Sequence, residues 1–295
     1  DRLYIADSGH NRVIVTTLTG RVLSVIGTGQ PALRDGPWEA AALHQPQGLA
    51  LDSATLYIAD TGNHALRAAS LTAHTLQTVA GDGTLAYGQG AGEAARAQLN
   101  SPWDLTRVGR MLFIAMAGTH QLWALNLDTQ QLGPFAGSGR EGLHDGPRAT
   151  ATLAQPSGLT SDGERLYFAD SEASAVRAVG WEPDDRVHTI IGRGLFVVGD
   201  VDGGWDDARL QHPLGIAYHT GRLYLADTYN HKLKIIDPRS ATVRTLLGDG
   251  QPGWRDGNAP RFYEPGGLSG ADGHLYVADT NNHVIRVVAL GSNTV

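Results

Sequence analysis

Four histidines occupy one position of a repeated sequence phrase, and imidazole nitrogens are common metal ligands. His64, His120, His231 and His283 each stand four residues beyond an apolar segment such as Leu56–Asp60. Metal ligands converge to about 2 Å from one ion, whereas copies of one position in successive repeats lie apart in space. We therefore predict no metal at these histidines. The Asp and Asn of each phrase are expected to cap backbone N–H groups of a tight turn that the His braces.

The densest group of carboxylates lies in segment 200–207, which offers oxygen ligands for a divalent cation. A calcium loop of the helix-loop-helix type requires a bidentate Glu at its twelfth position, where this chain has Gln211. Asp202-Gly203 also matches Asp-Gly pairs in other repeats, which predicts a turn. We predict no resident cofactor, and leave open weak binding of a divalent cation at Asp200, Asp202 and Asp206.

The third repeat departs from the others at positions that offer a binding surface. Trp103-Asp104 stands where the other repeats carry a small or apolar residue and Gly, and Met116 replaces a repeated Asp. Broken repeat rules mark either function or repacking. The functional interpretation is a one-sided binding pocket formed by Trp103, Asp104, Met116 and His120, with Glu172 of the next repeat nearby. The alternative is a compensating pair, in which Trp103 fills space and the loss of Asp at position 116 accommodates Asp104.

Six copies of one five-residue phrase organise the elements that carry these residues. They occupy residues 3–7, 56–60, 112–116, 166–170, 223–227 and 275–279, so the repeat is 52 to 57 residues long. Each full repeat contains four short apolar runs bounded by Gly, Asn, Asp or Pro, which predicts four strands. Such repeats are typical of a β-propeller, in which each repeat is one blade. We predict an all-β, six-bladed β-propeller of four-stranded antiparallel blades, as one domain over residues 1–295.

The predicted strands fall short of six complete blades. The first blade lacks an inner strand, which we expect to precede Asp1. The last blade has only the start of an outer strand, at Thr294-Val295. The propeller is therefore predicted to be incomplete at both termini.

The residues after each phrase carry a family resemblance. Asp60-Thr61-Gly62-Asn63-His64, with Arg67 beyond it, recurs at 227–231, and at 279–283 with Arg286. This pattern resembles the NHL repeat, with departures at His10-Asn11, Thr119-His120 and Ala173-Ser174. Long connectors such as Gly27 to Gly36 resemble those of NHL proteins that carry an N-terminal thioredoxin-like domain. The resemblance implies such a redox domain upstream of this chain.

Strand direction predicts where a binding surface lies. In antiparallel four-stranded blades, the turn after the second strand and the connector to the next blade emerge at the same end. Loops on a rigid scaffold often carry binding sites. We predict a non-catalytic binding or scaffold propeller that recognises a protein or peptide through this rim of loops. The alternative is a metal-assisted hydrolase or lyase acting on a small molecule in the axial channel, where only Asp104 and His219 offer ionisable groups.

The composition of the chain limits the classes of partner that we expect it to bind. The formal net charge of −7 makes nucleic acid an unlikely ligand, because phosphate binding requires clustered Lys and Arg. No run of 18 apolar residues predicts a membrane span, and no signal peptide is evident. The chain has no Cys, which removes disulfides and thiol chemistry. We expect a cytoplasmic protein, although the same features are compatible with export.

Overall fold

The computed structural model describes residues 1–86, 91–182 and 184–295. The fold class predicted from the sequence is confirmed: the chain is an all-β, six-bladed propeller. Two compact units divide it, Asp1–Phe135 and Ala136–Val295. In the described part of the chain, the helical elements are single turns of 3₁₀-helix.

The first unit carries blades one to three. Blade one comprises β1 (Leu3–Asp7), β2 (Arg12–Thr16) and β3 (Val22–Ile26). Blade two comprises β4 (Gly36–Pro37), β5 (Pro46–Asp52), β6 (Thr55–Asp60), β7 (Ala65–Ser70) and β8 (Thr75–Ala80). Blade three comprises β9 (Gly92–Glu93), β10 (Pro102–Val108), β11 (Met111–Met116), β12 (Gln121–Asn126) and β13 (Gln131–Ala136).

The second unit carries blades four to six. Blade four comprises β14 (Gly146–Pro147), β15 (Pro156–Ser161), β16 (Arg165–Asp170), β17 (Ala175–Gly180) and β18 (Arg186–Ile191). Blade five comprises β19 (Gly203–Gly204), β20 (Ile216–His219), β21 (Arg222–Asp227), β22 (Lys232–Asp237) and β23 (Thr242–Leu247). Blade six comprises β24 (Pro265–Ala271), β25 (His274–Asp279) and β26 (Val284–Ala289).

The four middle blades differ from the predicted four strands by a short fifth strand. It comes from the connector that precedes the blade and pairs with the blade's outer strand, as in Gly36↔Leu76 and Pro37↔Thr75. An outer strand exposes unpaired N–H and C=O groups, and the connector covers part of that edge. Blades one and six have three strands each among the described residues, in agreement with the predicted strand count.

The apolar core lies between neighbouring blades. In the first unit, Leu66 and Ala80 of blade two pack in one cluster with Leu112 and Trp123 of blade three. In the second unit, Tyr167 of blade four shares a cluster with residues of blade five. Blades two and five are covered on both faces by blades of their own unit. Because of this, their second strands read as continuous apolar runs rather than as alternating ones.

Candidate functional site

The turn after the second strand and the preceding connector lie at one end of the blade, as predicted. The side chain of Asn63 donates a hydrogen bond to the carbonyl of Ala32, at 2.9 Å. Asn230 donates in the same way to Gly199, at 2.7 Å, and Asn282 to Gly253, at 2.9 Å. The Asn of the repeated phrase therefore fastens the connector, and we call this end of the blades the connector rim.

In blade two, a buried carboxylate fastens the far end of the same connector. One oxygen of Asp60 accepts a hydrogen bond from the backbone N–H of His44, at 2.7 Å. The other oxygen accepts from Asn63, at 2.8 Å, and from Arg67 NH1, at 2.7 Å. Asp60 makes no cap to its own turn, so the predicted local capping role is wrong. Its backbone target stands 16 residues earlier in the chain.

Arg67 completes the attachment of this connector. Its guanidinium donates to the carbonyl oxygens of Ala42 and Arg34, at 2.9 and 3.0 Å, and to the carboxylate of Asp35, at 2.8 Å. Asp35 in turn accepts the backbone N–H and the hydroxyl of Thr78 on the outer strand. Burial would raise the pKa of Asp35, but the hydrogen bonds from Thr78 and Arg67 outweigh it, and the pKa is lowered. One buried cation thus ties the connector to two strands.

The same arrangement recurs in blades four and six. Arg177 lies between Asp170 and Asp145, at 2.8 Å from each carboxylate. Arg286 contacts Asp279 at 2.8 Å and also pairs with Asp256 of its connector. In both blades the guanidinium also donates to two backbone carbonyls of the connector. The Asp–Arg–Asp set is therefore a repeated structural device.

Blade five carries a lysine in place of this arginine. The ammonium of Lys234 lies 2.6 Å from Asp200 and 2.8 Å from Asp202, but 3.9 Å from the buried Asp227. Lys232 also pairs with Asp200. Burial raises the pKa of Asp227 to about 7, although hydrogen bonds from Asn230 and the N–H of Gln211 act to lower it.

These contacts locate the three weak cation candidates. Asp200 and Asp202 are engaged by lysine ammonium groups, whose hydrogen bonds lower their pKa against the opposing effect of burial. Asp202 also accepts the N–H of Thr245 on the outer strand, 43 residues further along the chain. Asp206 lies exposed on the connector. Among the described residues, no group of three or more His, Cys, Asp or Glu side chains is arranged to hold a metal ion.

In blades one, two, four and five, the last residue of the turn links its blade to the next one. The Nδ1 atom of His64 accepts the backbone N–H of Ser101, at 3.2 Å, and Nδ1 of His231 accepts that of Glu264, at 3.2 Å. The predicted role of these histidines, bracing their own hairpin, is therefore wrong. The same position in other blades is held by Asn11 and Ser174, which accept the N–H groups of Gln45 and His212.

The departures from the Asn-His phrase follow from this geometry. The position requires a left-handed backbone and a side chain that accepts a hydrogen bond. His64, Asn11 and Ser174 have φ values of 49°, 55° and 47°. Asn and His adopt this conformation more readily than most residues. The hydroxyl of Thr61 adds a second link, because it donates to the carbonyl of Pro102 at 2.6 Å.

Substitution of His64 tests this link. We expect His64→Ala to lower the free energy of unfolding by about 1–3 kcal/mol, because the N–H of Ser101 loses its acceptor. His64→Asn should retain most of the stability, since Asn11 makes the equivalent bond in blade one. Urea denaturation of the three proteins measures the difference. Equal losses in both variants would show that the imidazole ring acts through packing.

Sequence comparison agrees with this repeated architecture. No protein-family model matches the chain. NHL repeat-containing protein 2 of Bos taurus is 41% identical over an alignment of 331 positions. The alignment covers 100% of this chain and 46% of that relative. The chain is a six-bladed propeller of NHL repeats. Protein SUPPRESSOR OF QUENCHING 1, chloroplastic, of Arabidopsis thaliana is 41% identical over 308 residues, which cover 98% of the NHL propeller and 29% of that protein.

The solved structures support the fold alone. A chain in the crystal structure of a nidogen/laminin complex aligns with 99% of the NHL propeller and 91% of its own length, with a TM-score of 0.66 and 17% identity. The NHL propeller spans about half the length of the bovine relative. Within the described residues, no helix is long and apolar enough to cross a membrane.

Blade three of the NHL propeller replaces the polar set with apolar packing. Met116 occupies the place of the buried Asp, and Trp123 the place of the Arg on the third strand. Both side chains are buried in one cluster, and the indole N–H donates to the side-chain oxygen of Gln121 at 3.0 Å. Met116 therefore packs in the apolar core with Trp123, and it offers no surface to a partner.

The other candidates in blade three lie partly exposed. Trp103 and Asp104 are half-buried at a bulge between Pro102 and Asp104 in the inner strand. A Cβ atom on Gly48 of blade two would overlap the backbone and carboxyl group of Asp104, so the two inner strands approach closely there. His120 holds the left-handed position at the end of its turn, with φ 52°.

Glu172 lies on the connector rim of the second unit, beside two residues that the sequence analysis did not select. Its carboxylate is 3.8 Å from Nδ1 of His212. The His212 ring stacks on Tyr229, with 4.5 Å between centroids and 13° between planes. The sequence signal was positional, because His212 directly precedes the Pro that opens blade five and Tyr229 is the middle residue of a turn.

The connector before blade five displays an apolar tip that was also missed. Asp202 follows Gly192 by ten residues, whereas Asp35 follows Gly27 by eight. The extra length forms a turn closed by a hydrogen bond from the N–H of Val197 to the carbonyl of Gly194, at 3.1 Å. Phe196 at this turn is 93% exposed. The added residues therefore present an aromatic side chain to solvent.

Proposed function

We propose that this propeller is a non-catalytic binding module that recognises a protein or peptide through the connector rim. The observation that carries the proposal is the set of hydrogen bonds and ion pairs that hold the connectors of the rim. The connectors before blades two, four, five and six are tied down by buried carboxylates and cations, which restrains these loops before a partner binds. Preorganised loops lose little entropy when they bind, which raises affinity.

The apolar side chains on the second unit support the same function. Phe196, Tyr229 and Trp254 are 93%, 48% and 60% exposed, and each belongs to a connector or turn of the rim. Aromatic anchors of this kind dominate the energy of many protein interfaces. Trp103, Asp104, His120 and Glu172 remain candidate contacts of the proposed partner.

Selection from a randomised peptide library displayed on phage tests the proposal. We expect the chain to enrich specific peptides, and Phe196→Ser to weaken their binding by about tenfold or more. Leu51→Ser is the matched control. Leu51 is also exposed, but it lies near the end of the inner strand β5, at the opposite end of its blade from the connector rim. Enrichment of no peptide, or equal losses in both variants, would contradict recognition by the rim.

We further propose that the propeller accompanies a thioredoxin-like redox domain in a longer protein. The support is the length of the relatives, since the chain covers 46% of the bovine protein. The intact mass of the natural gene product tests this, and a mass equal to the 31.3 kDa of this chain would contradict it.

A further inference from the structure

An acid, an imidazole and a phenol meet on the connector rim of the second unit. Glu172 belongs to the turn of blade four, His212 to the entry of blade five, and Tyr229 to the turn of blade five. The Glu172 side chain is 42% exposed, His212 22%, and Tyr229 is 48% exposed as a residue. The three residues form what we call the Glu-His-Tyr cluster.

The backbone holds each member of the Glu-His-Tyr cluster in place. The N–H of Glu172 donates to the carbonyl of Ala154, at 3.0 Å, and the N–H of Tyr229 to that of Gln211, at 3.2 Å. The N–H of His212 donates to the hydroxyl of Ser174, at 3.1 Å. The bond between His212 and Ser174 joins blades four and five, and the other two fix each turn to its own connector, so the backbone of the cluster is held without a ligand.

The Glu172 carboxylate lies beside the imidazole ring of His212. At 3.8 Å, the contact of Glu172 with the His212 ring is too long for a hydrogen bond. Burial lowers the pKa of His212, against the opposing charge of Glu172, which favours the neutral imidazole. The Glu172 carboxylate therefore lies beside the His212 ring, which stacks on the half-exposed Tyr229. A carboxylate and aromatic rings in one patch attract a cation.

We propose that the Glu-His-Tyr cluster binds an arginine side chain of the partner protein or peptide. This rests on the proposed function and names the chemistry that part of the rim recognises. A guanidinium stacks flat on an aromatic ring while its N–H groups engage a carboxylate, whereas an ammonium group is a strongly hydrated point charge. The net charge of −7 favours a basic partner.

Small amino-acid probes test the assignment without knowledge of the partner. N-acetylarginine methylamide is titrated into the ¹⁵N-labelled chain, and the amide signals of Ala173 and Tyr229 are followed by NMR. We expect saturable shifts with a dissociation constant on the order of 1 mM. The citrulline analogue has the same shape without the charge, and should cause no saturable shift.

Variants identify the groups that bind the probe. Glu172→Gln should weaken binding about fivefold, the effect of losing one exposed ion pair of about 1 kcal/mol. Tyr229→Leu should weaken it about twofold to fivefold through loss of the ring. Glu164→Gln is the matched control, because Glu164 is an exposed carboxylate in the first turn of the same blade, and it should leave binding unchanged.

Three results would overturn the assignment. These are no saturable shift with the arginine probe, equal binding by Glu172→Gln, or equal or tighter binding of N-acetyllysine methylamide. The phage selection separates this failure from that of the proposed function. If the selection enriches peptides that lack arginine and bind the Glu172→Gln variant normally, recognition by the rim stands and only the arginine assignment fails. If the selection enriches no peptide, both the proposed function and the arginine assignment fail.

Discussion

Replacing Arg177 with methionine will lower the free energy of unfolding by about 3–5 kcal/mol, because it leaves a buried carboxylate without its cation. Arg177 and Asp170 are fully buried, with 2.8 Å between guanidinium and carboxylate. The guanidinium also donates to the carbonyl oxygens of Thr152 and His144, which lose their partner. Urea denaturation followed by circular dichroism measures the loss, and Arg165→Met on the exposed start of β16 is the control.

A double variant separates the charge from the packing. Asp170→Leu with Arg177→Met removes both charges, and replacing a buried pair with apolar residues is often close to neutral. We expect the double variant to be more stable than Arg177→Met alone, although recovery is partial because the N–H of Ala154 loses its acceptor. A double variant less stable than the single one would show that the connector bonds outweigh the unpaired charge.

Blade three is a natural precedent for that double replacement. Met116 and Trp123 take the places of the Asp and Arg, and both are buried in the apolar core. Both replacements are visible in the sequence, because Met116 and Trp123 depart from the pattern of the other repeats. The sequence analysis paired Met116 with Asp104 instead, since it read the repeated Asp as a cap and assigned no partner to the Arg.

The fold was predictable because each repeat contains the strand pattern of one blade. Each five-residue phrase is an apolar run long enough for one strand, and the six copies occur as β1, β6, β11, β16, β21 and β25. The fifth strands were not predictable from residue preference, because pairs such as Gly36–Pro37 disfavour strands. They form because the outer strand of the same blade offers an unpaired edge, which is a tertiary effect.

For the candidate site, the sequence predicted the location on the rim but not the contacts of its polar residues. Strand direction placed the turns and connectors at one rim, but the partners of the polar residues lie far along the chain. Arg67 binds Asp35 at a separation of 32 residues, and Thr78 reaches the same carboxylate across 43. Local turn rules describe neighbours in sequence, so they assigned the Asp to a cap and the His to its own hairpin.

Restoring arginine in blade five is expected to stabilise the protein by about 0.5–2 kcal/mol at pH 8, as consensus substitutions commonly do. In Lys234→Arg, the planar guanidinium can reach both Asp227 and Asp202, as Arg67 reaches Asp60 and Asp35 in blade two. The ammonium of Lys234 is 3.9 Å from Asp227, whereas the arginine in blade two is 2.7 Å from its carboxylate. A closer cation favours the ionised carboxylate.

The advantage of Lys234→Arg should depend on pH in a defined direction. Burial raises the pKa of Asp227 from its ordinary value of 3.8, which holds in the unfolded chain, to about 7 in the folded chain. This group therefore stabilises the fold fully below about pH 4, and the contribution disappears as pH rises through 7. Lys234→Arg lowers the folded pKa and removes much of that dependence.

The stability difference between Lys234→Arg and the original chain should then be largest near pH 8 and shrink below pH 6. Taking the difference cancels the groups that the two proteins share, including Asp35 and Asp162, whose lowered pKa makes the fold less stable in acid. Urea denaturation at pH 5, 6, 7 and 8 measures it, and Arg244→Lys on the exposed face of β23 is the control. A difference that is constant with pH would mean that Asp227 stays ionised throughout, and that the lysine already neutralises it at 3.9 Å.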